Sequence, residues 1–267
     1  MSWLKTYPTL IKAYWARALQ YRAQILVWVL SSSLPLVMMM VWLTIAEQQA
    51  DGTVNGFGRA DFIRYFLAIT FMRRMTGVWF IWDLDRDIRL GALSAHLLRP
   101  LNPLHHYFVR TVIAIRPVQF LIIAPPVALA VWLTGVQYDW GVGTLLLMFA
   151  AAFCASLVEF FAQAVIGMLA FWMTQATSVA EGWFFIRSLF SGWIIPLAMF
   201  PEVMQGYFTY LPFRYMLSFP VEIIMGGATT ADIALGFAVQ WVWILLFFAL
   251  YRLLWRNGLK QYSAVGA

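Results

Sequence analysis

Long apolar runs, separated by short polar stretches, make up most of this sequence. Several runs approach or exceed the about 20 residues that a helix needs to cross the hydrocarbon core of a bilayer. The strands of a membrane β-barrel would instead appear as short segments of alternating hydrophobicity. The pattern therefore predicts an all-α integral membrane protein with one transmembrane domain over residues 1–267. Its six transmembrane helices are predicted at residues 23–45, 62–82, 112–134, 144–173, 183–200 and 233–255.

The first 22 residues have a different pattern from the spans. Leu10, Ile11, Tyr14, Trp15 and Ala18 fall on one helical face, and basic residues occupy the rest of the surface. A basic face opposite an aromatic one is typical of a helix that lies in the headgroup layer. Residues 1–22 are therefore predicted to form an interfacial amphipathic helix, with a soluble N-terminal helix as the alternative.

Residues 201–230 are apolar but do not resemble a span. Pro201, Pro212, Pro220, Gly226 and Gly227 divide them into pieces of about two helical turns, which are too short to cross a bilayer. We expect short re-entrant helices that enter the membrane and return to the same side, just before the sixth span. The stretch 174–182, by contrast, is expected to be a short polar turn before the fifth span.

The basic residues indicate the orientation of the chain. Cytoplasmic segments of membrane proteins carry an excess of Lys and Arg. If the N-terminus is cytoplasmic, the outer loops contain only Arg59 and Arg214, and the inner segments contain Lys5, Lys12, Arg17, Arg22, Arg86, Arg89, Arg99, Arg110, Arg256 and Lys260. This asymmetry predicts that both termini and the connector at 83–105 are cytoplasmic, and that residues 201–230 lie on the far side.

Composition excludes several classes of function. Hydrophobic residues make up 63% of the 267 residues and charged residues 11%, against about 25% charged in soluble domains. Six spans leave no room for a further catalytic domain of about 100 residues. The net charge of +6 is dispersed rather than grouped in a Lys/Arg block, so no nucleic acid partner is predicted. The single Cys154 excludes an intrachain disulfide and a cysteine-based metal cluster.

Motifs for catalysis on this chain are missing from the sequence. It contains no G-x-x-x-x-G-K-[ST] phosphate loop, no H-E-x-x-H and no G-x-S-x-G. The three histidines, His96, His105 and His106, all lie close to the connector. A metal-binding pair is one interpretation, but solvated surface histidines explain them more simply. We predict no catalytic residues, no metal site and no cofactor on this chain.

Three charged residues lie inside predicted spans. Arg73 and Arg74 fall in the second span and Glu159 in the fourth. Such groups are costly in a bilayer and normally face protein or water. Consecutive residues of a helix point about 100° apart, so only one of the two arginines easily faces a given partner. We hypothesise that Arg73 or Arg74 pairs with Glu159, either as a structural pair or along the substrate pathway.

The connector between the second and third spans contains the segment DLDRDIRLGALSAHLLRPLNP, from Asp83 to Pro103. Asp85 and Arg89 stand four residues apart with the acid first, which favours a helical extension of the second span. Gly91 can end this helix, and Pro100 stops the short helix that follows. The residues alone fit both a force-transmitting helix and an ordinary interfacial connector.

The complete order of segments resembles the ABC type-2 exporter permeases. The resemblance covers essentially the whole chain and includes the connector DIRLGALSAHLLRPLNP and the late segment LPFRYMLSFPVEIIMGG. The pattern I-R-x-G-x-L-x-x-x-L-L-R-P-L, from Ile88 to Leu101, is closest to a branch made up mainly of multidrug and other small-molecule exporters.

The resemblance implies a coupling helix in the connector and an outer gate before the sixth span. Its coupling helix would dock onto a separate ABC ATPase subunit through Gly91, Leu93, Leu97, Leu98 and Arg99. The gate would include Pro201, Pro212, Arg214, Pro220 and Glu222.

The same resemblance implies the partners. ATP and Mg would bind the partner ATPase subunit, and a second permease, of the same or a related chain, would complete the unit. The substrate would be a small amphipathic molecule, drug or lipid-like compound, moved out across a bacterial plasma membrane and in contact with its lipids.

Two other functions remain open on the sequence. An intramembrane lipid-modifying enzyme would need a nucleophile and a base at a common depth, whereas the histidines group near the cytoplasmic connector. An ion-coupled carrier would show two related halves with helix breaks in matching positions. Such breaks are evident here only toward the C-terminal end.

Overall fold

The computed structural model describes residue 15, residues 33–98 and residues 101–262. All regular secondary structure in these residues is helical, which confirms the all-α prediction. The predicted interfacial helix at 1–22 lies outside the described residues except for Trp15. The first ten residues of the predicted first span, and Arg99 with Pro100 in the connector, also lie outside them.

Twelve α-helices are described, and we number them in chain order. They are α1 Leu34–Glu47, α2 Arg59–Thr76, α3 Ile81–Arg89, α4 Leu93–Leu97, α5 Pro103–Phe108, α6 Ile115–Thr134, α7 Val142–Met168, α8 Ala176–Phe190, α9 Glu202–Phe208, α10 Pro212–Met216, α11 Ser218–Met225 and α12 Thr230–Gln261. A π-helical turn, Val109–Ala114, joins α5 to α6, and 3₁₀ turns lie at Leu169–Phe171 and Leu197–Met199.

Three helical stretches in the described part of the chain are long and apolar enough to cross a membrane, by length and composition. They are Pro103–Thr134, Val142–Phe171 and Thr230–Gln261. These stretches contain the predicted third span, nearly all of the fourth, and the sixth. Helix α1 is apolar but shorter, with 14 residues. The total of six spans stays a prediction.

Helix α7 is the centre of the bundle. Fifteen of its 27 residues are buried, and it contacts α2, α3, α8, α10, α11 and α12. Glycines allow two pairs of helices to approach each other closely, α7 with α3 and α12 with α11. A Cβ atom at Gly167 would lie 2.7 Å from the side chain of Leu84 in α3, and a Cβ atom at Gly236 in α12 would lie 2.1 Å from the ring of Phe219 in α11.

The buried apolar residues form two large groups along α7. One group includes Phe62, Phe66 and Met72 of α2 with Ala152 of α7. The other includes residues of the connector, together with Phe160 and Met168 of α7. On α7, the polar residues Ser156 and Glu159 lie between the last residue of the first group and the first residue of the second.

The second predicted span is interrupted. Helix α2 ends at Thr76, residues 77–80 are not helical, and α3 begins at Ile81. The prediction that residues 83–89 extend the second span as one helix is therefore wrong. Gly77 lies at this break with an extended backbone. A Cβ atom at this position would lie 2.7 Å from the carbonyl oxygen of Arg73, so the conformation suits glycine.

The expected polar turn at 174–182 is also wrong over most of its length, because α8 already begins at Ala176. The helix ends at Phe190, ten residues before the predicted end of the fifth span. Gly192 follows with a φ of +83°, and a Cβ atom there would lie 2.1 Å from Ser218 Oγ. Glycine therefore fits both the backbone and the space at this turn.

Residues 201–230 contain three short helices, as expected from their prolines. Pro201 precedes α9, Pro212 is the first residue of α10, and Pro220 lies in the first turn of α11. These positions tolerate proline, because the first N–H groups of a helix have no partner within it. Whether the segment enters the membrane stays a prediction.

Candidate functional site

The connector forms a tight helical turn at one end of the bundle, which we call the docking turn (Leu90–Leu98) after the role that the family resemblance implies for it. Helix α3 ends at Arg89, Gly91 has a φ of +74°, and α4 begins at Leu93. Gly91 therefore ends the helix as the sequence predicted, with a left-handed conformation that glycine adopts at little cost. Asp85 accepts a hydrogen bond from Arg89 Nε at 2.9 Å, which confirms the expected contact along α3.

The leucines of the docking turn differ sharply in exposure. Leu93 is completely buried and packs with Ile88 and Leu104. Leu90 is 70% exposed, Leu98 89% and Leu97 37%. The exposed apolar surface of the docking turn is therefore that of Leu90, Leu97 and Leu98, which we call the leucine face. The predicted docking residue Leu93 lies beneath this face, and Arg99 lies outside the described residues.

Polar contacts tie the connector to the helix that follows it. Asp83 forms an ion pair with Arg110, in the π-helical turn. Asp87 accepts a hydrogen bond from the hydroxyl of Tyr107, in α5. The π-helical turn precedes Pro117, whose missing N–H removes the usual bond to the carbonyl of Ile113.

The docking turn is also tied to the C-terminal end of α12. The hydroxyl of Tyr262 lies 3.2 Å from the backbone nitrogen of Ser94, which donates to it, and 3.1 Å from Ser94 Oγ. Nearby, the His96 and His106 rings lie 5.9 Å apart. Within the described ranges, no group of three or more His, Cys, Asp or Glu side chains is placed to hold a metal ion.

A second polar site fills the break between α2 and α3, and we call it the polar junction. Gln163 of α7 is fully buried. Its amide donates to the carbonyl of Val78, and its oxygen accepts from the backbone nitrogen of Phe80 at 3.3 Å. The same amide donates to Glu159 at 2.7 Å. One side chain thus satisfies backbone groups that a continuous helix would have paired internally.

The last carbonyls of α2 are satisfied by two further side chains. Arg116 of α6 donates to the carbonyl of Arg74 at 2.8 Å and to that of Thr76 at 3.3 Å. Ser156 of α7 donates to the carbonyl of Met75 at 3.2 Å. A cation at this position also interacts favourably with the negative end of the helix dipole. The polar junction therefore joins α2 to both α6 and α7.

Glu159 forms an ion pair with a residue that the sequence analysis did not assign to it. Arg187 Nε of α8 lies 2.9 Å from Glu159 Oε2, and both side chains are buried. Arg73 places its guanidinium 3.8 Å above the ring of Trp193, close enough to Arg187 for their charges to repel. The hypothesis that Glu159 pairs with Arg73 or Arg74 stays a prediction.

Several residues of the polar junction were not singled out from the sequence. Arg116 is a charge inside an apolar run, which could have marked it in the same way as Arg73. Gln163 lies one helical turn after Glu159, on the same face, which was a weaker signal. Nothing local in the sequence marks Ser156 as a partner of α2.

A cavity of about 570 Å³ lies at the opposite end of α2 from the docking turn. We call it the short-helix cavity, because α9, α10 and α11 supply much of its lining. Arg214 and Glu222, both predicted gate residues, line it and form a forked pair, with Nε 3.1 Å from each carboxylate oxygen and Nη2 2.6 Å from Oε2. Tyr65, Phe208 and Asp232 also line it.

The short-helix cavity rests on the turn after α8. The hydroxyl of Tyr65 in α2 donates to the carbonyl of Gly192 at 2.8 Å. Ser218 of α11 donates to the carbonyl of Ser191 at 2.7 Å. The other predicted gate residues are prolines at the starts of the short helices around this cavity, namely Pro201, Pro212 and Pro220.

Comparison with known proteins gives one positive result. A family model described as "ABC-2 family transporter protein" matches residues 33–266. No curated protein and no solved structure matches the chain.

Proposed function

The chain belongs to the ABC-2 family of transporter proteins, and from this membership we propose that it is the transmembrane permease subunit of an ATP-driven exporter. The family implies an ABC ATPase partner. ATP and Mg bind to that separate subunit, so this chain hydrolyses no ATP itself. A second permease, of the same or a related chain, completes the unit.

The observation that supports this proposal most directly is the construction of the docking turn. Its leucine face is exposed, with Leu98 at 89%, while Leu93 anchors the same turn in the core. A surface that receives force needs both properties, because a partner must reach it and the chain beneath it must not yield. A flexible loop rich in Gly and Ser would lack the second property.

Polar contacts connect the docking turn and α3 to the long helices, so a movement of this turn can be transmitted into the bundle. Asp83 and Asp87 connect α3 to the helix Pro103–Thr134 through Arg110 and Tyr107. Tyr262 connects α4 to α12. Closure of the ATPases on ATP would push the docking turn, tilt these helices and open the short-helix cavity on the far side. The substrate is a small amphipathic molecule, drug or lipid-like compound that leaves through the gate formed by residues 201–230.

This function sets the orientation of the chain. The docking turn and both termini face the cytoplasm of a bacterial cell, and the short-helix cavity faces outward across the plasma membrane. The excess of Lys and Arg in the connector and the termini supports this orientation.

Affinity purification from native membranes tests the proposal. The double variant Leu90→Asp with Leu98→Asp places two charges on the leucine face, which would have to be desolvated on docking. We expect the co-purified ATPase, identified by mass spectrometry, to fall at least about tenfold, which corresponds to about 1.4 kcal/mol of binding free energy. Membrane insertion should not change.

The matched control is Val203→Asp, which charges a residue that is 75% exposed in α9, at the other end of the molecule. It should leave co-purification unchanged. An ATPase that remains bound to the double variant at the original level would refute docking through the leucine face. Transport that continues in cells lacking the ATPase would favour an ion-coupled carrier.

A further inference from the structure

The short-helix cavity has room for an organic molecule. Its volume of about 570 Å³ lies within the range of about 300–1,000 Å³ that is usual for pockets binding small organic ligands. A single water molecule takes only about 30 Å³ of the liquid. The cavity therefore has the size of a ligand site, and its lining indicates the chemistry of the ligand.

The charged residues that line this cavity do not balance. Those in the described part of the chain are Arg214, Glu222 and Asp232. Arg214 forks onto Glu222 through Nε and Nη2, so these two charges cancel. Asp232 lies within electrostatic range of Arg214, but no described residue forms a salt bridge with it. The lining therefore carries one net negative charge.

Other basic residues at this end of the molecule do not supply the missing positive charge. On α2, Arg59 pairs with Glu47 and Arg64 pairs with Asp61. The basic residues among the first 22 are predicted on the docking-turn side. A cationic ligand would thus complete the balance.

Two polar groups of the lining keep an acceptor for such a ligand. Asp232 accepts from the backbone nitrogen and the hydroxyl of Thr229 through Oδ2, which leaves Oδ1. Gln205 uses its amide nitrogen to donate to the carbonyls of Ala198 and Phe200, which leaves its side-chain oxygen. Both atoms suit a ligand that brings positive charge and hydrogen-bond donors.

Aromatic residues supply the apolar part of the lining, namely Phe57, Tyr65 and Phe208. The hydroxyl of Tyr65 is held by the carbonyl of Gly192. Phe208 packs edge-on against Phe200, with ring centres 5.1 Å apart. Aromatic rings pack against apolar bodies and attract cations to their faces. The same cavity therefore offers contacts for a positive charge and for an apolar body.

A structural role accounts for only part of this arrangement. Asp232 caps α12, where a negative charge is favourable, and the fork of Arg214 on Glu222 ties α10 to α11. Neither role requires an open space beside these groups, since protein interiors otherwise pack with few voids.

We propose that the short-helix cavity binds an organic cation with an apolar body. Its positive group lies beside Asp232, and its body contacts Tyr65 and Phe208. The binding itself does not depend on transport. That this cation is the cargo of the chain rests on the function proposed above, and it narrows the substrate class named there.

Titration of the purified full-length chain with ethidium, an aromatic cation, tests the proposal. The chain is held in a non-ionic detergent, and fluorescence anisotropy reports the bound dye. Three competitors then separate charge from apolar body: benzyltrimethylammonium, benzenesulfonate and tetramethylammonium. We expect benzyltrimethylammonium to displace ethidium at a concentration at least about tenfold lower than either of the other two, because it alone has both a positive charge and a ring.

Two substitutions should change the affinity for ethidium in opposite directions. Asp232→Asn keeps an oxygen that can cap α12 and removes the charge, so binding should weaken by about fivefold to tenfold. Arg214→Gln removes the positive charge and releases Glu222, so binding should tighten by several-fold. A folding defect would weaken the binding that benzyltrimethylammonium competes away. Tighter binding in Arg214→Gln therefore decides the question even if Asp232→Asn is unstable.

Asp139→Asn is the matched control. Asp139 is also exposed and accepts from one backbone nitrogen and one threonine hydroxyl, at the start of α7, but it does not line the cavity. This substitution should change the affinity less than about twofold, because exposed charges outside the site are screened.

Three outcomes would overturn the proposal. They are equal weakening by Asp232→Asn and Asp139→Asn, unchanged or weaker binding in Arg214→Gln, and displacement of ethidium by benzenesulfonate as readily as by benzyltrimethylammonium. Displacement by tetramethylammonium at the same concentration as benzyltrimethylammonium would refute the apolar body.

The result can be separated from the proposed function. A chain that binds no ATPase but shows the expected pattern of ethidium affinities would refute the permease and leave the cation site standing. A chain that docks an ATPase but shows no preference for benzyltrimethylammonium over benzenesulfonate would do the reverse.

Discussion

Among the interruptions of helical structure in the described part of the molecule, those at the polar junction and around the short-helix cavity are built differently. At the polar junction, the freed backbone groups of residues 74–80 bond to Arg116, Ser156 and Gln163, which lie 40 to 85 residues further along the chain. Around the short-helix cavity, many polar contacts are local. Gln205 donates to the carbonyls of Ala198 and Phe200, and Arg214 pairs with Glu222, eight residues away.

This difference indicates how each region can move. Long-range contacts at the polar junction make α2, α6 and α7 move together, because separating them leaves buried backbone groups without partners. Around the short-helix cavity, local contacts such as Arg214 to Glu222 hold the short helices together, and contacts such as Ser218 to Ser191 join them to the rest of the bundle. Under the proposed function, the first region would transmit force and the second would open.

The two glutamines at these interruptions allow the comparison to be tested with one type of change. Gln163→Leu leaves the carbonyl of Val78 and the N–H of Phe80 buried and unsatisfied, at a cost of about 3 kcal/mol. Gln205→Leu affects carbonyls in a partly exposed segment, so we expect about 1 kcal/mol. Thermal unfolding can be followed with a maleimide dye that reacts with Cys154, which is buried in the folded chain.

One result of these two glutamine substitutions would contradict the comparison. Equal destabilisation by the two substitutions would show that the polar junction is no more constrained than the short helices. Gln163→Glu is an informative addition, because it keeps the size of the side chain while removing the amide that donates to Val78.

The ion pair at the short-helix cavity should contribute less. Arg214 and Glu222 are partly exposed, with 24% and 29% of their side chains accessible, and such pairs contribute about 0.5–1 kcal/mol. We expect Arg214→Gln and Glu222→Gln each to destabilise the chain by about this amount. The double variant should cost less than the sum, as a double-mutant cycle measures. Strict additivity would mean that the observed fork contributes nothing to stability.

The tie between α4 and α12 should have the smallest effect. Tyr262→Phe removes the hydroxyl that accepts from Ser94, in a partly exposed position, and should cost about 0.5 kcal/mol. The informative measurement is hydrogen exchange. Amides of residues 93–97 should exchange faster while those of α7 remain unchanged. Unchanged exchange in α4 would remove Tyr262 from the proposed route of force transmission.

Particular residues show which features could be predicted from residues close together in the sequence. Gly91 ends α3 as expected, because a glycine after an amphipathic helix is a local signal. The prolines of residues 201–230 likewise predicted short helices correctly. The helix starting at Ala176 was missed, because its polar first turn resembles a loop in the sequence and packing decides its conformation.

The sequence by itself determined the helical class, the order of the long apolar stretches, the position of the docking turn and the family resemblance. Each of these depends on residues that are close together in the chain. The tertiary structure decided that α2 ends at Thr76, that Leu93 lies beneath the leucine face, and that Arg187 pairs with Glu159. These features depend on contacts between side chains of distant helices, at places where backbone groups need partners. Such contacts produce no periodic pattern in the sequence.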